Sequence, residues 1–299
     1  MSATLLMLIA SLLFATMGVC VKLASARYGA GEIVFYRGVI GALFIAGLTA
    51  WRGGDLRTRV PAMHFWRGLT GVTALVLWFY SIGKLPLATA ITLNYMSSVW
   101  MALFLIGGAV MLGTARVDGR LIATVLAGFA GVGMVLQPTL EREQFQGALA
   151  GLLSGMMAAM AYLQVTALGR AGEPEYRVVF YFSIGSTLAG GALMLGNGLH
   201  SHSWQGAGLL LATGILATTA QMLMTRAYAI GRTLANASLQ YLGIAWSFVY
   251  GVLIFDDAVT WLALLGMGLI VLSGLAATLL RSRAVPQNAP ADSRSPPES

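Results

Sequence analysis

The chain has 299 residues, 58% of them hydrophobic and only 10% charged, and it carries a net charge of +7. Soluble domains hold about 25% charged residues, so this composition excludes an ordinary water-soluble fold and makes lipid the natural solvent. The basic residues form no stripe interleaved with aromatics, which excludes a nucleic-acid partner. They sit singly or in short groups between apolar runs, as polytopic membrane proteins place them.

A helix needs about 20 apolar residues to cross the hydrocarbon core. Ten such stretches occur: Thr4–Ala24, Ile33–Trp51, Phe65–Ile82, Leu87–Leu112, Gly119–Gln137, Ala148–Leu168, Val178–Leu195, Gly206–Tyr228, Thr233–Phe255 and Thr260–Leu280. The predicted fold is an all-α polytopic membrane protein with ten transmembrane helices.

The first stretch holds Cys20, the single cysteine, so an intrachain disulfide and a cysteine-based metal site are both excluded. Ala24-Ser25-Ala26 has the form of a signal-peptide cleavage site. However, no Lys or Arg precedes the run and Lys22 closes it, so the segment is read as a retained helix. In the second stretch Arg37 lies a few residues inside the apolar run. It either pairs with Glu32 or helix carbonyls, or draws a substrate carboxylate toward the outer mouth. The third stretch carries Thr70, Thr73 and Tyr80 on one helical face, and Trp78 far from its ends. The fourth offers Asn94, Ser97, Ser98 and Met101 on one face, with Tyr95 and Trp100 on others.

The sixth stretch begins with a double GxxxG over Gly147, Gly151 and Gly155, a close-packing face within or between subunits. Met157 there matches Met17 of the first stretch, as packing or cavity wall. His200 and His202 lie in a polar loop without acidic neighbours in sequence, too few ligands for a metal. The eighth stretch aligns Thr218, Gln221, Thr225 and Tyr228 on one face. The ninth offers Gln240 and Ser247 on one face, with Tyr241 and Trp246 elsewhere. Beyond Leu280 the Pro/Ser-rich residues to Ser299 are predicted to be a disordered cytoplasmic tail.

The two halves repeat. Phe79-Tyr80-Ser81-Ile82-Gly83-Lys84 matches Ala227-Tyr228-Ala229-Ile230-Gly231-Arg232, and Ile91-Thr92-Leu93-Asn94-Tyr95 matches Ala237-Ser238-Leu239-Gln240-Tyr241. Val34-Phe35-Tyr36 echoes Val179-Phe180-Tyr181. Five helices per half is odd, so residues 1–138 and 139–280 are predicted to be inverted repeats with a solute site between them. If the N-terminus is cytoplasmic, only Lys22, Arg27, Arg37, Lys84 and Arg142 face outward, and every other Lys and Arg faces the cytoplasm. Both termini are therefore predicted to be cytoplasmic. Trp51, Trp66, Trp204 and Trp261 lie at stretch ends, where interfacial anchors belong.

With its ten spans, its repeat, Arg37 and the Tyr80–Pro86 turn with its counterpart near Arg232, the chain resembles the drug/metabolite transporter superfamily of EamA type. It is most similar to the bacterial exporters of amino acids, including aromatic ones. The resemblance implies a transporter of the bacterial inner membrane that moves a small solute outward.

The candidate cavity residues are Thr70, Thr73, Tyr80, Asn94, Tyr95, Ser98, Thr218, Gln221, Thr225, Tyr228, Gln240 and Tyr241. The alternative for the polar stripes is interhelical hydrogen bonding. No carboxylate is expected at membrane depth, Glu32, Asp256 and Asp257 lying at stretch ends. A midplane of Thr, Asn, Gln, Tyr and Trp without a carboxylate suits a neutral zwitterion and, together with the resemblance, implies a large neutral or aromatic amino acid as substrate, carried by alternating access without obligatory proton coupling. No nucleophile–base pair, metal centre or cofactor signature is present, so no enzyme activity, cofactor or metal is expected. The expected partners are membrane lipid and a small-molecule substrate, with no obligatory protein partner. A multidrug exporter of the same fold and, more remotely, an intramembrane lipid-modifying enzyme are the competing readings.

Overall fold

Backbone groups have no water to bond in lipid, so an apolar chain satisfies them within helices. The computed structural model describes residues 2–97, 99–101, 103, 104, 107, 119–136, 142–198, 200–230, 239–258 and 260–284. No strand occurs among these residues; besides helical residues at 99–101 and 239–240, ten helices run their length within them. They are α1 (Ala3–Ser25), α2 (Ala30–Trp51), α3 (Pro61–Lys84), α4 (Leu87–Tyr95), α5 (Gly119–Leu136), α6 (Arg142–Arg170), α7 (Glu175–Asn197), α8 (Trp204–Ile230), α9 (Leu242–Phe255) and α10 (Trp261–Ala284). Five of them, α1, α2, α6, α7 and α8, are long and apolar enough to cross a membrane by length and composition alone. Trp51, Trp66, Trp204 and Trp261 are exposed at or near helix ends, as interfacial anchors require.

Several helix limits differ from the sequence expectation: α6 starts at Arg142 rather than Ala148, α10 runs to Ala284, past Leu280 into the residues expected to be a disordered tail, and α3 and α4 differ for local reasons. Helix α3 starts at Pro61 rather than Phe65, because proline is favoured in the first turn, where its missing N–H costs no bond. Helix α4 stops at Tyr95, well short of Leu112. There the Met96 amide donates to both Thr92 O and Leu93 O at 3.2 Å, a tightened turn, and helical bonding resumes from the Met96 carbonyl. Tyr241, which the sequence comparison of the halves pairs with Tyr95, occupies a turn just before α9. The start of the ninth predicted stretch, the fifth stretch's Gln137 and the tail from residue 285 lie outside the described residues.

The helices pack reciprocally. Helix α1 lies on α8 as α6 lies on α3; α2 lies on α8 as α7 lies on α3; and α1 lies on α9 as α6 lies on α4. The pairs α2–α7, α4–α9 and α5–α10 map onto themselves when the halves are exchanged. Small residues permit the close crossings. A methyl group added at Gly38 of α2 would lie 2.5 Å from the Thr187 amide nitrogen of α7 and 2.8 Å from Ser183 O. Gly190 of α7 sits as tightly on the backbone of Phe35. The GxxxG face of α6 is used within the chain. Gly151 meets Ser81 and Leu93, and Gly155 meets the Leu93 and Asn94 carbonyls beside the α4 break.

Each end of the bundle is tied by charged groups. At one end Lys22 Nζ lies 3.3 Å from Asp257 Oδ1 and donates to Leu85 O at 3.2 Å, while the Leu87 amide donates to Asp257 Oδ2 at 3.1 Å. The carboxylate thus sits at the positive N-terminus of α4. Asp256, with φ of 50°, makes the left-handed turn that ends α9 and aims its neighbour there. At the same end Glu32 is buried in the first turn of α2, 2.9 Å from His200 Nδ1 and 3.6 Å from His202 Nε2. The predicted alternative of a Glu32–Arg37 pair is not formed, because the two loop histidines cover the carboxylate.

At the opposite end Glu173, in the α6–α7 connection, lies 3.0 Å from His64 Nε2 and 3.2 Å from Arg177 Nη1, and it accepts from Thr58 Oγ1 at 3.1 Å. Burial pushes the Glu173 carboxyl up, but the bonds from His64 and Thr58 and the charge of Arg177 outweigh it and hold the group below its usual 4.5.

Two predictions follow from this packing. Gly38→Val lowers thermal stability by about 1–3 kcal/mol, whereas Gly47→Ala, with open space at its Cβ position, does not; melting of purified protein in detergent compares the two. Because the folded Glu173 carboxyl titrates below its unfolded value, its contribution to stability is fully present above 4.5 and is lost as pH falls through the lower folded value. Melting temperature measured from pH 6 to 3 should show that acid loss in the wild type and a shallower one in Glu173→Gln.

Candidate functional site

Between the two halves lies a central cavity of about 70 Å³. That is room for a few waters and far below the roughly 300–1,000 Å³ of pockets that enclose a drug-sized ligand. The walls therefore stand close around the site. Seven of the helices contribute lining residues, together with Gln240 just before α9.

The polar groups converge on it from both halves. Asn94 sits in the last turn of α4 before the break and donates to Ser154 Oγ of α6 at 2.6 Å; Ser154 in turn donates to Ala74 O at 2.9 Å. This relay fixes the amide against the cavity wall. Gln221 of α8 and Gln240 line the opposite side, with Gln240 Nε2 against Met224 Sδ at 3.5 Å. The Tyr162 hydroxyl of α6 lies near Gln240 and Arg67. Phe14 and Met17 of α1 and Trp78 of α3 make the apolar wall, and Trp78 Nε1 has no hydrogen-bond partner.

Two guanidinium groups dominate the electrostatics. Arg37 of α2 and Arg67 of α3 are each 3% exposed, and both line the cavity. Both lie against Phe182 of α7, their guanidinium carbons 4.8 and 4.3 Å from the ring centroid. Arg37 Nη1 reaches Ser186 Oγ only at 3.5 Å, and Arg37 Nε, Arg67 Nε and Arg67 Nη1 have no hydrogen-bond partner. Among the described residues, no carboxylate forms an ion pair with either. Arginine does not neutralise itself by losing a proton, and an uncompensated buried ion costs several kcal/mol. The π-face of Phe182 returns about 2 kcal/mol at most for a desolvated contact. Chemically, such a site can receive negative charge.

Of the predicted cavity residues, Asn94, Tyr95, Gln221 and Gln240 line this cavity. Tyr241 is buried beside Tyr95, ring centroids 6.5 Å apart, and Tyr95 packs onto Gly243 of α9. Ser98 lies outside the described residues.

The other six sit elsewhere. Thr73 is exposed on the outer face of α3, its hydroxyl bonded to Leu69 O. Thr70 donates to Gln164 Oε1 of α6 at 3.1 Å, and Tyr80 to Gln146 Oε1 at 3.3 Å, so both join α3 to α6. Thr218 bonds its own helix at Gly214 O. Thr225 and Tyr228 border a separate recess of about 290 Å³ near Glu173 and Glu175, with Tyr228 stacked on Tyr162 at 6.3 Å. The polar stripe of α3 is thus mostly helix-joining, and the cavity face is instead Arg67, Gly71, Ala74 and Trp78. Trp246 is 40% exposed and Trp100 packs on Phe104 and Phe129, so neither lines the site.

Arg67 was expected among the cytoplasmic basic residues, and the structure places it inside. The signal was local. Arg67 is followed four residues later by Gly71, which lies on the same helical face and leaves the space the guanidinium fills.

Known proteins with related sequences are transporters. The EamA-like transporter family model matches residues 1–137. The chain is 34% identical over 275 residues to the pseudopaline exporter of Pseudomonas aeruginosa, covering 92% of this chain and 95% of that protein. An uncharacterized transporter of Helicobacter pylori is 25% identical over 279 residues, covering 90% and 92%. A riboflavin transporter of Rhizobium johnstonii is 27% identical over 220 residues, covering 74% and 71%. A solved crystal structure superposes with a TM-score of 0.65 at 20% identity, over 94% of this chain and 98% of that one, a likeness of fold alone. The resemblance drawn from the repeat and the Arg37 and Tyr80–Pro86 motifs holds: the chain is a multi-pass membrane transporter of small molecules and belongs to the EamA-like transporter family.

Proposed function

We propose that this transporter exports an amino acid or amino-acid-derived metabolite across the bacterial inner membrane by alternating access. The observation that carries the reading is the central cavity. Amide groups of Asn94, Gln221 and Gln240 can bond an ammonium, guanidinium groups of Arg37 and Arg67 can bond a carboxylate, and Phe14, Met17 and Trp78 form an apolar wall. The name of the pseudopaline exporter supports outward movement of a metabolite. The arginines also change the expectation of a neutral site. A lipophilic cation would be repelled by two uncompensated positive charges, which disfavours the multidrug reading.

The reciprocal packing of residues 1–138 and 139–280 supports an inverted repeat, and the Lys/Arg distribution supports cytoplasmic termini. In that orientation the Lys22–Asp257 tie closes the outer end and the Glu173 cluster closes the inner end. Tyr228, stacked on Tyr162, stands between the cavity and the inner recess as a second inner barrier. The helix breaks at Met96 and before α9 lie at the cavity, where exposed carbonyls are tolerated.

The test is counterflow in liposomes containing only the purified protein. Preloaded amino acids should exchange with labelled external ones, and Gln221→Ala should weaken binding by about 0.5–1.5 kcal/mol, the worth of one hydrogen bond. Flux of lipophilic cations alone, with no amino-acid-type solute moving, overturns the reading. Asp257→Asn should raise labelling of a cavity cysteine introduced at Ala161 from the outside, and Glu173→Gln from the inside. Equal changes from both sides in both variants would remove the two-gate assignment.

A further inference from the structure

Resting on the reading of the cavity as an amino-acid-type solute site, we infer that its substrate carries two carboxylates, one for each of Arg37 and Arg67. The two guanidinium groups come from different helices, α2 and α3, yet converge on one aromatic ring. They repel one another. In a low-dielectric cavity that repulsion is poorly screened. A zwitterion with one carboxylate and one ammonium brings no net negative charge, so it leaves the positive charge of the pair undiminished. An amino-dicarboxylate balances one unit of it and offers each planar fork a carboxylate edge to bond in two places. Its ammonium then falls to the amides on the remaining wall, Asn94, Gln221 and Gln240.

The orphaned atoms mark where those bonds form. Arg67 Nε and Nη1 and Arg37 Nε lack any partner, although each residue is almost wholly buried. Ser186, at 3.5 Å, is too distant to serve as the counterpart of Arg37. Phe182 meets both guanidinium groups with a single ring, a contact that uses none of their N–H groups as hydrogen-bond donors. Gly71 provides the room for Arg67 to fold along α3 toward this point.

The experiment compares L-glutamate with L-glutamine, which match in shape and differ in one carboxylate, and iminodiacetate with glycine. Each is offered as a competitor of counterflow in proteoliposomes, and binding to the detergent-solubilised protein is followed by intrinsic fluorescence, since Trp78 lines the site. Wild-type protein should prefer the dicarboxylate of each pair by about tenfold or more, since a site built to bond a polar group rejects the analogue lacking it. Arg37→Gln and Arg67→Gln should each collapse that preference toward unity. Arg37→Lys and Arg67→Lys keep the charge without the fork and should retain part of the preference, which separates recognition from misfolding. If the glutamine variants do not fold, the wild-type comparison remains decisive.

Equal or better acceptance of L-glutamine and of neutral aromatic amino acids overturns the two-carboxylate inference and leaves the amino-acid exporter standing. If none of these solutes competes, the exporter reading fails and the inference falls with it.

Discussion

Two positive charges in a cavity, with no counter-ion among the described residues, set the terms for this molecule. A buried guanidinium gives up hydration worth several kcal/mol, and arginine has no neutral form to retreat to. Among the described residues Arg37 and Arg67 meet that cost against the same ring, with Phe182, a long contact from Arg37 to Ser186 and the nearby Tyr162 hydroxyl in return. An apolar bundle tolerates such a pair only if the surrounding helices hold it in place. The glycine crossings do so. Gly38 and Gly190 bring α2 onto α7, which sets Arg37 over Phe182, and Gly71 clears the path for Arg67. The packing that gives stability is therefore the packing that aims the charges.

The broken helices belong to the same arrangement. The turn at Met96 interrupts the helix just after Asn94 and Tyr95, with the Leu93 and Asn94 carbonyls pressed against Gly155. Its partner break precedes α9, and the two meet where Tyr95 lies on Gly243. Matching interruptions in the fourth and ninth helices put an amide from each half, Asn94 and Gln240, on one cavity. A bundle of ten unbroken rods would present side chains there but no shared floor.

Much of the fold was legible in the sequence, because apolar length and the repeated Asn/Gln-Tyr pair are properties of the chain itself. The pairing of Tyr95 with Tyr241 appears in the alignment of the halves and again as a contact. The site was legible only in part. Polarity was the signal used, and Thr70, Thr73, Tyr80 and Thr218 showed its weakness. A threonine hydroxyl satisfies itself on the carbonyl four residues back, so a polar stripe of threonines needs no cavity. Thr73 and Thr218 do this alone, and Thr70 adds Gln164. Asn and Gln have no such local remedy, and three of them face the cavity. Arg67 was missed for the opposite reason. A basic residue two turns from a helix start reads as an interfacial charge, and only the packing of α3 against α6 and α7 turns it inward.

The two ends of the bundle are closed by different chemistry. At the Lys22 end a carboxylate from the second half reaches into the first half and meets a lysine, a carbonyl and the start of α4 together. In the proposed alternating-access cycle, opening there would expose the N-terminus of the same helix whose other end carries Asn94 and Tyr95, and so would carry movement at that mouth along α4 to the cavity. At the His64 end the tie joins α3 and the α2–α3 connection to the α6–α7 connection, and α3 carries Arg67 one turn further in. Release of that tie frees the helix that bears one of the two charges. In the proposed mechanism each mouth is therefore linked by one helix to a different part of the cavity wall, α4 to the amides and α3 to the guanidinium. A solute that bridges both surfaces would resist the parting of either helix, and one that touches only one of them would not.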